Sequence, residues 1–226
     1  MRTERTKIYK YIWVTNLETN ELIQNLSKMN TPVRVVRLGY IELLKVLAVA
    51  ALCLVSTISI LGLRNDILTR VASFSFIFES IALLFLGILA STSAFALSVP
   101  GHESRRTLIL PLITLSGWAA ITTYSFITST QSAFFIGFGF ACALDIILIS
   151  LPTASILFFL IRKAAPLKRE KIGFLVLLSG AAYGAFGVSL TCIDDSPVHI
   201  LFWHLVPTLI IAGIGIFFGK KLLNKI

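Results

Sequence analysis

Charge is what this chain has least of. Only 14% of its 226 residues are Asp, Glu, Lys or Arg, and 56% are hydrophobic; a soluble domain carries roughly a quarter charged residues. The few charges collect in short patches between long apolar stretches, a distribution that excludes one well-packed soluble domain. Catalytic patterns are missing too. No nucleophile has a base nearby, no glycine-rich loop could cradle a phosphate, and no carboxylates pair at working distance, so an enzyme is not expected. The net charge of +9 comes without a basic stripe interleaved with aromatics, so direct nucleic-acid contact is not expected either.

The apolar stretches number six. They cover roughly residues 46–63, 74–99, 108–127, 134–161, 172–190 and 200–218. About 20 mostly apolar residues cross a bilayer as a helix, and only helices or closed barrels satisfy the backbone in hydrocarbon. These segments are too long and too continuously apolar for alternating barrel strands. The predicted fold is all-α, a polytopic membrane bundle of six transmembrane helices over residues 46–218. It follows an N-terminal segment, 1–45, and precedes a short basic tail, 219–226. The lipid bilayer is thus the first predicted partner.

Orientation follows from the flanking charges. Residues 1–45 hold eight Lys and Arg, the second connection holds Arg105 and Arg106, the fourth holds five and the C-terminus three. Only Arg64 and Arg70 fall on the other side. Basic residues mark the cytoplasmic side, so both ends are expected there. The first apolar run begins too late for the core of a secretory signal, so residues 1–45 are expected to stay in the cytosol. The outer connections are short, and one of them carries Asp194 and Asp195. Any macromolecular partner would therefore meet the N-terminal segment. There Leu22, Ile23, Leu26 and Met29 recur at helical spacing. Thr15 and Glu18 fit a capping box ahead of them, and Pro32 ends the run. Such a helix could lie on the lipid surface or dock in a partner's groove, and the pattern favours neither.

Ionisable groups inside a span are expensive, about 2.5–3.5 kcal/mol at a helix centre. Glu79, Asp145 and His204 are the candidates. They support an alternative reading as a small secondary transporter, against which stand ordinary interhelical contacts and snorkelling near the outer ends. The three cysteines differ in kind. Cys53 lies within the first span, where a thiol behaves as a small apolar group. Cys142 and Cys192 both fall in the outward half. They could be packing residues, a disulfide or ligands of a thiophilic metal, and the sequence does not set whether their depths match. Cys192, Asp194, Asp195, His199 and His204 together form a candidate metal set, at a spacing unlike standard zinc patterns. The competing reading makes Asp194 to Pro197 a solvated turn that caps the sixth span, with Trp203 as an interfacial anchor. No resident cofactor is expected; a divalent metal enters only as a candidate signal. Gly180 with Gly184, and Gly215 with Gly219, have the spacing that lets membrane helices pack closely. Pro152 and Pro207 are expected to kink their spans.

Several short strings occur in a telling order. They are Asn20-Glu21-Leu22-Ile23 with Leu26, then Pro32-Val33-Arg34; Leu61-Gly62-Leu63-Arg64-Asn65-Asp66; and Ser98-Val99-Pro100-Gly101. Cys142 follows, with Ser150-Leu151-Pro152, then Arg162-Lys163 with Pro166-Leu167. Last come Cys192 with Asp194-Asp195-Ser196-Pro197, and Trp203-His204. In this order the chain, from about Leu17 onward, resembles the NrsF-type family of six-span bacterial membrane proteins. The resemblance implies a membrane-bound anti-sigma factor in the bacterial inner membrane, whose partner is an extracytoplasmic-function sigma factor. It also implies that Cys142 and Cys192 sense metal or oxidative stress. The same resemblance makes Leu22, Ile23, Leu26, Met29, Pro32, Val33 and Arg34 the sigma-binding residues. Met1 to Asn16 extend beyond the usual family start.

Overall fold

The structure, a computed structural model, describes residues 21, 23, 24, 27, 40–99, 105–129, 139–162 and 168–223. The chain falls into two units, residues 1–36 and 37–226. In the first, Glu21, Ile23, Gln24 and Ser27 are helical and exposed. Leu22, Leu26, Met29, Pro32, Val33 and Arg34 lie outside the described residues.

In the second unit, six helices are long and apolar enough to cross a membrane, as the sequence predicts. They are α1 (Tyr40–Leu61), α3 (Phe74–Ser98), α4 (Arg105–Thr128), α5 (Phe140–Ile161), α6 (Arg169–Thr191) and a composite last helix. The last begins as α7 (Pro197–His199), passes through a π-helical turn (Ile200–Leu205) and continues as α8 (Val206–Leu222). A short α2 (Ile67–Arg70) lies between α1 and α3. Among the described residues every regular element is helical.

Four of the six spans start earlier than apolarity alone suggests, whereas α3 starts at Phe74 as expected and α5 starts at Phe140, later than the expected 134. The first begins at Tyr40 and takes in Glu42 and Lys45, which pair along the helix at 3.3 Å. A charged turn joined in this way extends a helix past the hydrocarbon at little expense. The last begins at Pro197 because Ser196 caps it, its hydroxyl accepting from the His199 N–H, with proline at the first position. There the missing N–H would have had no partner anyway. Pro111 and Pro152 sit inside the continuous helices α4 and α5.

The bundle is organised around α6, whose apolar stretch is 89% buried. Small residues bring its neighbours close. A Cβ at Gly180 would stand 2.7 Å from the Ser150 carbonyl oxygen of α5, and one at Gly184 2.6 Å from that of Ile146. On α8, Gly215 and Gly219 face Gly173 so closely that a Cβ on any of the three would collide with the opposing backbone. With lipid as apolar as leucine, such contact is the main drive for association. On the α3 side, Gly87 leaves room for the Tyr183 ring. The Ser91 and Ser179 hydroxyls hydrogen-bond to each other at 2.6 Å, and one of them donates to the Gly87 carbonyl, which is within reach of both. Helix α1 is the opposite case, with only 11% of its apolar stretch buried. Val46 and Ala50 face the bundle, while Leu52, Val55 and Ile60 are exposed, which suits a lipid-facing helix.

Candidate functional site

One end of the bundle gathers the residues that could carry chemistry. Helix α1 ends there, α3 and α5 begin, α6 ends at Thr191 and the last helix starts at Pro197. The link from Cys192 to Ser196 crosses this end and holds two distinct sites side by side.

The first is an ion cluster around Arg64, whose side chain is fully buried. Its guanidinium forks onto two carboxylates. Nε and Nη2 donate to Asp66 at 2.7 and 3.0 Å, and Nη1 and Nη2 donate to Asp195 at 2.9 and 2.6 Å. Arg70 adds contacts to Asp195 at 2.8 Å and to Asp66 at 3.3 Å. The Arg64 backbone N–H donates to the Leu190 carbonyl, and its guanidinium lies over the Phe76 ring. Two cations and two anions balance here. Asp195, then Asp66, hold the guanidinium well above its ordinary value, and Arg64 chiefly holds Asp66 down to about 2. The sequence reading gave Arg64 only a topological role. It also placed Asp195 in a solvated turn or a metal set, whereas Asp195 is committed to the two arginines.

Asp66 gives this cluster an acid limit. Its folded value lies below its ordinary value of 3.8, so its contribution is fully present above about pH 4 and is lost as pH falls toward 2. Thermal stability in detergent should therefore fall as pH drops through this window, and Asp66→Asn should flatten that part of the profile. An identical acid profile for the variant would refute the assignment.

The second site is a cluster of two thiols and two imidazoles. Cys142, in the first turn of α5, and Cys192, just past α6, place their Sγ atoms 3.5 Å apart, so their depths do match. Both are thiols, as is Cys53. His199 Nε2 lies 3.3 Å from Cys192 Sγ, and its Nδ1 faces Asp194 at 3.3 Å. His204 completes the group: one ligand atom from each of the four residues lies within 4.8 Å of the other three. Its ring meets that of His199 edge-on at 5.3 Å between centroids. His204 is 3% exposed, and neither ring nitrogen has a hydrogen-bond partner. Burying an unpaired polar group of this kind costs about 1–3 kcal/mol. Cys192 is held below the usual thiol range, first by the hydrogen bond from Cys142 and then by His199 and the nearby His204, against the effect of burial.

Local sequence explains how two histidines five positions apart come to share one face. On an α-helix of 3.6 residues per turn such positions diverge by about 140°. The turn Ile200–Leu205 is π-helical, and i→i+5 bonding brings positions five apart close to register. Pro207, just beyond, has no N–H to give the preceding turn, and the Thr208 hydroxyl donates to the His204 carbonyl at 2.7 Å. Trp203 packs on the backbone at Gly139, where any Cβ would collide with the indole. It therefore anchors the α5 start.

The other candidates fall elsewhere. Glu79 accepts from the Trp118 indole N–H at 3.4 Å and lines a cavity of about 370 Å³ with Arg70, Phe76 and Asp195. Asp145 lines a separate cavity of about 310 Å³ with Cys53 and Thr57. His204 lines neither, so the three groups of the transport reading do not meet in either of these cavities.

The family described as negative regulator of sigma F, NrsF, matches residues 26–224. The chain is 30% identical over 147 residues to the probable anti-sigma-F factor NrsF of Azospira oryzae, which covers 62% of this chain and 69% of that relative. No solved structure matches. A six-helix membrane bundle matched over nearly its whole length in this way belongs to the NrsF family, the negative regulators of sigma F.

Proposed function

We propose that this protein holds an extracytoplasmic-function sigma factor at the cytoplasmic face of a bacterial inner membrane and releases it on metal or oxidative stress. The observation that carries the sensing half is the Cys142–Cys192 pair, with thiols 3.5 Å apart at one end of the bundle. An oxidant that takes two electrons and two protons from this pair leaves a disulfide; a thiophilic metal displaces the same two protons. Either event changes the link 192–196, which Asp195 ties to Arg64 at the end of α1. Helix α1 leads back to the N-terminal segment, and eighteen of the twenty Lys and Arg residues lie in segments assigned to that cytoplasmic side. The contact surface is the segment around Leu22, Ile23, Leu26, Met29, Pro32, Val33 and Arg34, whose apolar residues at helical spacing suit a groove on the sigma factor. The protein does this by binding, without catalysis.

Coexpression with its sigma factor tests the holding step. The full chain should retain the sigma factor in the membrane fraction, and a chain lacking residues 1–39 should lose it. Retention by that truncated chain would place the contact elsewhere. A sigma-dependent reporter tests the sensing step: Cys142→Ser and Cys192→Ser should each remove most of the induction by cadmium or peroxide, while Cys53→Ser should not. Full induction in the double variant would remove the cysteines from the mechanism.

A further inference from the structure

We propose that Cys142, Cys192, His199 and His204 form one tetrahedral site, two sulfurs and two nitrogens, for a thiophilic divalent cation of the zinc and cadmium type. Three independent features point to it. The first is distance. Tetrahedral bonds of about 2.3 Å to sulfur and 2.0–2.1 Å to nitrogen set ligand separations of about 3.8 Å between sulfurs and 3.6 Å from sulfur to nitrogen. Cys142 and Cys192 stand at 3.5 Å, Cys192 and His199 at 3.3 Å, and all four ligand atoms within 4.8 Å. A cation at the centre needs shifts of about 1 Å.

The second is His204. It is 3% exposed, sits against the other three ligands and has no hydrogen bond from either ring nitrogen. A buried imidazole is ordinarily satisfied, and a cation would give this one its partner. The π-helical turn Ile200–Leu205 is what turns it toward His199, and such turns concentrate at functional sites.

The third is the support around the ligands. His199 Nδ1 faces Asp194 while Nε2 faces the thiols. A carboxylate behind a metal-bound imidazole fixes its orientation and strengthens its donation. Asp194 in turn accepts from the Ser196 N–H at 2.8 Å, which holds the link in shape. The ligand set also selects the ion: calcium and magnesium require oxygen ligands, whereas thiolate and imidazole suit zinc and its heavier relative. On binding, two S–metal and two N–metal bonds form and the two thiol protons pass to solvent.

The site deepens the reading of the cysteine pair as the sensor, and its effect on sigma release rests on that reading. The test is binding of zinc and of cadmium to the full-length protein in detergent micelles under reducing conditions, measured by competition with a chromophoric chelator. Wild type should take up one equivalent. His199→Ala, His204→Ala, Cys142→Ser and Cys192→Ser should each weaken binding by more than about 100-fold, and Asp194→Asn by about 10- to 100-fold. Cys53→Ser should bind as wild type. Circular dichroism and gel filtration identify any variant that fails to fold, and Asp194→Asn, at an exposed position, supplies a readout that does not depend on the buried ones. Wild-type affinity in the His199→Ala/His204→Ala double variant, folded as wild type, would overturn the four-ligand site, as would the absence of stoichiometric binding by wild type. Stoichiometric binding without sigma release would uphold the site and overturn the sensing reading. Release by metal from a protein that binds none at these residues would do the reverse.

Discussion

Arg64→Ala should destabilise the bundle by about 3 kcal/mol, near the lower end of what breaking a buried ion pair costs. The substitution leaves Asp66 and Asp195 facing one another with only the partly exposed Arg70 between them. Both carboxylates have some solvent access, which keeps the loss from being larger. Arg64→Lys should recover little, because a single ammonium cannot fork onto two carboxylates. Unfolding in mixed micelles at neutral pH reads the difference directly. Combining Arg64→Met with Asp195→Asn should cost much less than the two separate losses, since the pair is removed together. A loss below about 1 kcal/mol, the size of an exposed pair, would show that solvent reaches the guanidinium.

The second large effect is expected at Gly215. A Cβ there meets the carbonyl oxygen and carbon of Gly173 and the Phe174 Cα, all backbone atoms that cannot step aside. Gly215→Leu should push α8 off α6 and cost more than about 3 kcal/mol, beyond the usual range for overpacking. Gly213 provides the control within the same helix. Nothing lies within 4 Å of a Cβ there, so Gly213→Ala should be neutral or stabilising by up to about 1 kcal/mol, the helix preference of alanine. Equal losses at the two positions would refute close helix contact as the cause.

These sites mark the line between what the sequence makes legible and what it does not. The six spans are legible because apolar length and charge clustering are one-dimensional signals. The start at Tyr40 is not, because Glu42 and Lys45 interrupt the apolar run and only their pairing lets the helix continue through them. The glycine spacing announces close approach without saying to what: Gly180 and Gly184 meet α5, whereas Gly215 and Gly219 meet α6. At the candidate site, the sequence places Cys142 and Cys192 in the same outward half and allows them to pair, but 50 residues separate them and nothing local sets whether their depths match. His199 and His204 stand together in the sequence-derived metal set by nearness alone; helical spacing predicts that they diverge, and the π-helical turn that reverses this leaves no sequence signal. Arg64 was hidden for a different reason. A lone arginine between apolar segments reads as a topology marker, and burial with Asp195, 131 residues away, leaves no local trace. Of the seven residues assigned to sigma binding, only Ile23 lies among those described, helical and exposed.

The central position of α6 also has a consequence for how the protein is made. Chains are synthesised from the N-terminus, and membrane helices associate after they insert. Helix α6 is the fifth span. Until it arrives, the surfaces it will cover, Gly87 and Ser91 on α3 and Ile146 and Ser150 on α5, have only lipid against them. The four inserted helices can already pair, α1 with α5 and α3 with α4, but they lack the helix against which both pairs pack. Cys192, which follows α6 directly, joins Cys142 only when that hub docks, so the thiol pair forms only once the fifth of the six spans is in place.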